Sequence, residues 1–173
     1  MTGGVTIDAK PFTPEAWAPF GWVPVADTDG RDAVHTLAFA WGDAHLNFIQ
    51  HGPEEVKHAN DGLVVDGFFR HDSHTQALMP LNCESVIAVA PAIVDFSGPH
   101  QLEAVHAFVL RPGTVFVLHR GTWHWGPFPL GAQPVRLLNL QGKRYREDNT
   151  GVDLMAKLGT RLVVRTADPA WTT

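Results

Sequence analysis

The chain alternates short apolar runs with clusters of turn-forming residues and carries no long amphipathic stretch of helical period. The segments "GWVPVAD", "HTLAFAW", "AHLNFIQH", "LVVDGFFRH", "QALMPL", "SVIAVAPA", "VHAFVL", "GTVFVLH" and "VRLLNLQ" are rich in Val, Leu, Phe and Ala. Between them stand "DTDGRD", "GPEEVKHANDG", "DFSGPHQ", "RPG", "RGT" and "PLGAQP". Short strands separated this regularly by turns predict an all-β sandwich or barrel. Only two segments read as helix. In "FTPEAWAPFG", Thr13 is placed to cap a helix, Pro14 to open it and Gly21 to follow its end. "DNTGVDLMAKLGT" predicts a second short helix closed by Gly159. "RLVVRTADPAWTT" reads as one more edge strand or a tail docked on a partner, and "GPEEVKHANDG" as a solvated loop. With no internal repeat or linker, residues 1–173 read as a single domain, with a core over about 11–145 and a C-terminal helix and strand extension over 146–173.

Composition narrows the classes of function. A chain of 173 residues with 45% hydrophobic and 18% charged residues and a net charge of −5 is that of a globular protein with a sizeable core. Nothing in it resembles the clustered Lys and Arg of a nucleic-acid surface, so no nucleic-acid partner is expected. No apolar run approaches a membrane span, so no membrane partner is expected either. The single cysteine, Cys83, excludes an intrachain disulfide. With an N-terminus that lacks an apolar leader, it leads us to expect a cytoplasmic protein.

Ten histidines are the unusual entry, and two stretches concentrate them. In "GFFRHDSHTQALMPL", strand alternation puts Phe69 and His71 on one face and Phe68 and Arg70 on the other. "HDSH" reads as the turn of a hairpin, with Gln76 facing His71 across it and His74 solvated in the turn. In "FVLHRGTWHWGPF", the turn "RGT" separates His119 from His124. Imidazole is both the commonest divalent-metal ligand and the proton carrier of neutral pH. His71 with Gln76 in the first stretch, and His119 with His124 in the second, are therefore candidate metal or acid/base groups. The plain alternative is a set of loop histidines bonded to backbone. Trp123 and Phe69 read as core or pocket wall, and Arg120, Lys143 and Arg144 as candidate cations for an anionic substrate.

A small β-barrel with histidines beside the turns of two hairpins resembles the cupins. Their first motif falls on Phe69, His71 and Gln76, and their second on His119, Gly121 and His124. The order of "PFTPEAWAPFG", "RHDSHTQALMPL", "HAFVLRPG" and "HRGTWH" over roughly 11–145 is similar to the ureidoglycolate lyase family within that superfamily. The resemblance implies a double-stranded β-helix with a short N-terminal helix. It implies a carbon–nitrogen lyase of amidine-lyase type, cleaving ureidoglycolate or a related carbinolamide to glyoxylate and urea, with a place in allantoin degradation within purine catabolism. It also implies a homodimer acting on a small-molecule carboxylate. The implied catalytic set is His71, His119 and His124, with Phe69, Gln76, Arg120, Trp123 and Lys143 contacting substrate. A divalent metal (Ni, Zn, Mn or Fe) would sit on His71, Gln76 and His124, and a metal-free site stands equally open. Phe69 occupies the place of the family's Glu, the family's Asn-Gly loop is not recognisable in "DGRDAVHTLAFAW", and its late Asp-Arg appears as "NLQGKR". These departures leave room for a metal-dependent isomerase, epimerase or oxygenase, or for a non-catalytic small-molecule-binding cupin.

Overall fold

The computed structural model describes residues 4–166. Along the chain run β1 (Val5–Pro11), α1 (Pro14–Trp17), β2 (Gly21–Trp22), β3 (Ala44–His51), β4 (Lys57–Ala59), β5 (Gly62–Val65), β6 (Gly67–Arg70), β7 (Gln76–Pro80) and β8 (Ser85–Ala90). They are followed by β9 (His106–Leu110), β10 (Phe116–Leu118), β11 (Trp123–Pro129), β12 (Val135–Gly142), β13 (Thr150–Asp153), α2 (Leu154–Leu158) and β14 (Leu162–Arg165). Short 3-10 turns lie at Pro53–Glu55 and Pro99–Ala104. Both helices follow their sequence signals. Thr13 accepts from the Ala16 amide and Pro14 opens α1, while Gly159, left-handed at φ 65°, ends α2.

The strands form two sheets, one ordered β13-β6-β11-β8-β9-β1-β14-β5-β4 and the other β2-β10-β7-β12-β3. They curl toward each other as an all-β, cupin-like half-barrel. Between them lies one apolar core, built on Leu78, Ile87, Val89, Phe108, Phe116 and Leu137 and sealed by Trp17 and Phe20. A second core, including Phe68, Val86, Ala88, Phe96, Trp123 and Leu154, packs on the other face of the larger sheet. Having both faces covered explains why all six residues of β8 are buried and why "SVIAVA" shows no polar alternation.

Several expectations change. "HTLAFAW" is not a strand: its backbone groups bind the 73–75 turn, with the Ala40 amide on the Ser73 carbonyl and the Thr75 amide on the Ala38 carbonyl. "LVVDGFFRH" splits at Asp66, whose carbonyl receives the Leu154 amide, so β5 and β6 pair with different strands. Gly67 passes so close to β13 that a Cβ there would lie 2.2 Å from the Val152 carbonyl oxygen. "GPEEVKHANDG" contains β4, paired with β5. The last strand is no edge: β14 lies parallel to β1 and antiparallel to β5, inside the larger sheet. The rest of that tail, residues 167–173, lies outside the described residues. β6 and β7 are not a hairpin either, for the segment between them crosses from the larger sheet to the smaller one.

Candidate active site

Strand register decides which side chains face the space between the sheets. His124 pairs with Val89, which belongs to the inter-sheet core, so His124 points inward. Trp123 and Trp125 pair with Ala90 and Ala88 and take the other face. Gln76 pairs with Leu118 and Asn139 with Leu78, which places both amides inward. The 71–75 crossover then carries His71 to the same space. A cavity of about 410 Å³ opens there, lined among others by Phe69, His71, Gln76, His124, Gln141 and Arg146.

The three polar groups at its head are held by neighbours. Gln76 Nε2 donates to Asn139 Oδ1 (2.8 Å), and Asn139 Nδ2 donates to Asn47 Oδ1 (2.7 Å). This relay of amides spans β7, β12 and β3 and fixes the Gln76 orientation, leaving its buried Oε1 without a hydrogen-bond partner among the described residues. His71 Nδ1 donates to the Asp148 carbonyl (2.7 Å), and His124 Nδ1 lies 3.2 Å from the Thr122 carbonyl. Each ring then carries its proton on Nδ1 and presents a bare Nε2 lone pair, the pattern that orients ligand or base imidazoles. Their ring centroids are 5.5 Å apart.

His74 is not the solvated turn residue expected from "HDSH". It is 1% exposed and stacks on His71 with centroids 4.5 Å apart. Behind it stands Asp148, 77 residues from His71 in sequence. The Asp148 carboxylate accepts from the Asp72 amide (3.2 Å), the Ser73 amide (2.9 Å) and the Ser73 hydroxyl, and lies 3.1 Å from His74 Nδ1. Although partial burial works the other way, the Ser73 and Asp72 hydrogen bonds hold this carboxyl below its ordinary range. The ligand atoms of His71, His74 and Asp148 all lie within 4.8 Å of one another, a grouping that could hold a metal ion. The carboxylate already serves the turn, whereas neither ring nitrogen of His74 has a hydrogen-bond partner among the described residues.

Burial governs protonation here. It pushes His124 down to about 4, with the neighbouring His71 adding to the effect. His74 is likewise pushed down to about 4 by burial and then by His71. His71 moves in the same direction, again through burial, despite its bond to the Asp148 carbonyl. At neutral pH these rings are uncharged bases or ligands, not acids.

The remaining expected residues fall elsewhere. His119 lines a separate cavity of about 340 Å³, beside Trp22 and His35. Only a narrow void, lined also by His71, His74 and His124, separates it from the main cavity. Trp123 is core: its indole donates to the Val94 carbonyl and Arg70 lies over its ring at 4.6 Å, because register turns it to the outer core. Arg120 is exposed on the turn at Gly121, and Lys143 is exposed and bound through its amide to Asp43; neither lines the cavity. The cation that does line it is Arg146, with Tyr145 and Asn149. Arg144, the other candidate, stacks over Trp41.

A curled two-sheet barrel whose inward histidines and amides converge on one cavity defines a cupin-like small-molecule site. The ureidoglycolate lyase family model matches residues 5–157, and the chain belongs to that family. It is 29% identical to a "Putative ureidoglycolate lyase" of Agrobacterium fabrum over 129 residues, 72% of this chain and 76% of that protein. Among solved structures it is similar to a dTDP sugar isomerase from Desulfovibrio desulfuricans G20, with a TM-score of 0.42 and 13% identity. That match covers 69% of this chain and spans 64% of the isomerase's length.

Proposed function

We propose that the chain is a carbon–nitrogen lyase of amidine-lyase type that splits a carbinolamide of a small hydroxy acid, ureidoglycolate or a close relative, into glyoxylate and urea. The observation that carries this reading is the convergence of His71, His124 and Gln76 on one cavity in a member of this family. The reaction moves one proton from the substrate hydroxyl to the leaving nitrogen while the C–N bonding pair departs onto that nitrogen. A neutral imidazole suits both halves. His124 or His71, through its bare Nε2, takes the hydroxyl proton, and the imidazolium so formed hands it to the ureido nitrogen, so no separate acid is needed. Arg146 at the mouth supplies the positive charge for the carboxylate. Gln76 Oε1 accepts a substrate N–H, which satisfies its orphaned lone pair.

The donor set also fits a divalent cation, since two neutral imidazoles with backbone-anchored Nδ1 and one unpartnered amide oxygen face a single space. His71, His124 and Gln76 would hold it, and when bound it would act as a Lewis acid toward the substrate oxygens. Free Cys83 is in keeping with a reducing, cytoplasmic setting.

Urea release from ureidoglycolate, measured with and without added Ni, Zn or Mn, tests the reading. His71→Ala and His124→Ala are each expected to lower kcat by about 10²-fold or more while the protein stays folded. If the wild-type protein gives no urea above the uncatalysed rate under any of these conditions, the lyase assignment is abandoned.

A further inference from the structure

We infer that the preferred substrate is larger than ureidoglycolate, a carbinolamide whose ureido nitrogen bears an apolar arm. The inference rests on the lyase reading above and names the substrate class of that same site.

The cavity is two-sided. Its head is polar, formed by His71, Gln76, His124, Asn47 and Gln141. One layer further along the same strands the inward residues become apolar: Ile49 on β3, Leu78 on β7 and Leu137 on β12, with Leu137 paired to Ile49. A volume of about 410 Å³ lies in the range of sites for drug-sized ligands. Ile49, Leu78 and Leu137 are packed into the inter-sheet core and form the apolar floor of the cavity, and ureidoglycolate, with nine heavy atoms, would fill only part of a space of this volume.

The apolar surface also continues outward. A second cavity of about 380 Å³ shares Phe69, Trp125 and Phe128 with the first. These three rings form a strip joining the two spaces. Trp125 and Phe128 contact each other with centroids 4.6 Å apart, and Phe69 is 53% exposed. A bulge between Trp125 and Phe128 breaks the β11 register and lets both rings border the strip. What sets Phe69 apart from other exposed apolar side chains is that it continues a contiguous aromatic surface, with Trp125 and Phe128, across both cavities.

Charge sets the direction. The far cavity is bordered by Asp66 and Asp153, whereas Arg146 borders the near one. Asp66 is paired with Lys57 and Asp153 caps α2, so the far cavity offers a substrate carboxylate no cation, whereas Arg146 does so in the near one, and the apolar arm then points along the strip. For a substrate R–NH–CO–NH–CH(OH)–COO⁻, cleavage yields R–NH–CO–NH₂ and glyoxylate. The proton and electron count is that of the parent reaction, with the bonding pair and the hydroxyl proton both passing to the leaving nitrogen.

The test compares kcat/KM for ureidoglycolate with that for its N′-butyl and N′-phenyl derivatives, followed as glyoxylate formation. Each methylene buried on the strip raises kcat/KM about fourfold, so the butyl derivative is expected to be preferred by at least tenfold. Phe69→Ser is expected to collapse that ratio and Phe69→Leu to retain it. The exposure of Phe69 makes both variants compatible with folding. Equal or faster cleavage of ureidoglycolate by the wild-type protein would overturn the inference and leave the lyase reading intact. If none of the three compounds is cleaved, the reading itself falls and this inference with it. If Phe69→Ser changes the mass in solution but not the ratio, the strip is a seam between two copies of the chain and the inference is wrong.

Discussion

Asn139 makes no contact with solvent, yet it holds the site together. It is fully buried and bridges Gln76 to Asn47, so its removal strands a donor on one side and an acceptor on the other. Asn139→Leu is expected to destabilise the fold by about 1–3 kcal/mol for each group left unpaired. It should also lower kcat, because Gln76 is then free to turn its oxygen away. Urea unfolding together with urea release would check this, and a variant as stable and active as wild type would show that the relay is incidental. At this scale the sequence discloses the residues whose types recur in motifs and little else. Phe69, His71, Gln76 and His124 could be placed from strand alternation and turn position. Arg146 and Asp148 could not, because the sequence assigns them to the C-terminal extension and its predicted helix, whereas they reach the site from the segment between β12 and β13. His74 misled for a related reason: "HDSH" has the composition of an exposed turn, and only the Asp148 carboxylate behind it makes burial tolerable.

The crossover from β6 to β7 is the element on which the chemistry depends. Its backbone ties are a single bridge between His74 and Phe39, with the Ala40 amide on the Ser73 carbonyl and the Thr75 amide on the Ala38 carbonyl. To these are added the Gly121 amide on the His71 carbonyl (2.7 Å) and the Asp148 carboxylate on the Asp72 and Ser73 amides. Asp148→Ala is expected to lower the melting temperature by several degrees and to speed amide hydrogen exchange at Asp72 and Ser73 more than in either core. Unchanged exchange at those two amides would mean the crossover is held without Asp148. Gly121 supports the same element from the other side. It sits at φ +78°, where a side chain is strained, and an added Cβ would also lie 3.0 Å from that of Ala92. The strands read from sequence were mostly those with strong apolar runs, such as β7, β8, β9 and β12. Those missed, β1, β4 and β13, are short or carry mixed polarity, since they owe their conformation to partners far along the chain. Pairing across sheets is a matter of topology, and for that reason the expected hairpin between β6 and β7 proved to be a bridge between sheets.

For the molecule as a whole, three buried neutral histidines make stability depend on pH. Above about pH 6.5 the imidazoles are neutral in the unfolded chain as well, and the native state is at no disadvantage. Between 6.5 and about 4, unfolded His74 and His124 take up protons that the folded protein resists, since burial holds both down to about 4. Stability therefore falls with falling pH through that window, by about 1.4 kcal/mol per pH unit for each such group at most. Denaturant midpoints at pH 7 and pH 5 would register the loss, and equal midpoints would refute the assignment.

The pairing of β1 with β14 bears on how such a molecule is made. Val5 to Asp8 lie in register with Leu162 to Arg165, so β1 finds one of its two strand partners at the far side of the sequence from it, beyond every other described strand. Without that partner, one edge of β1 is open while most of the barrel is already available to fold. A nascent chain must therefore keep that strand edge exposed until β14 has been made, and closure of the larger sheet between β1 and β5 waits on that strand.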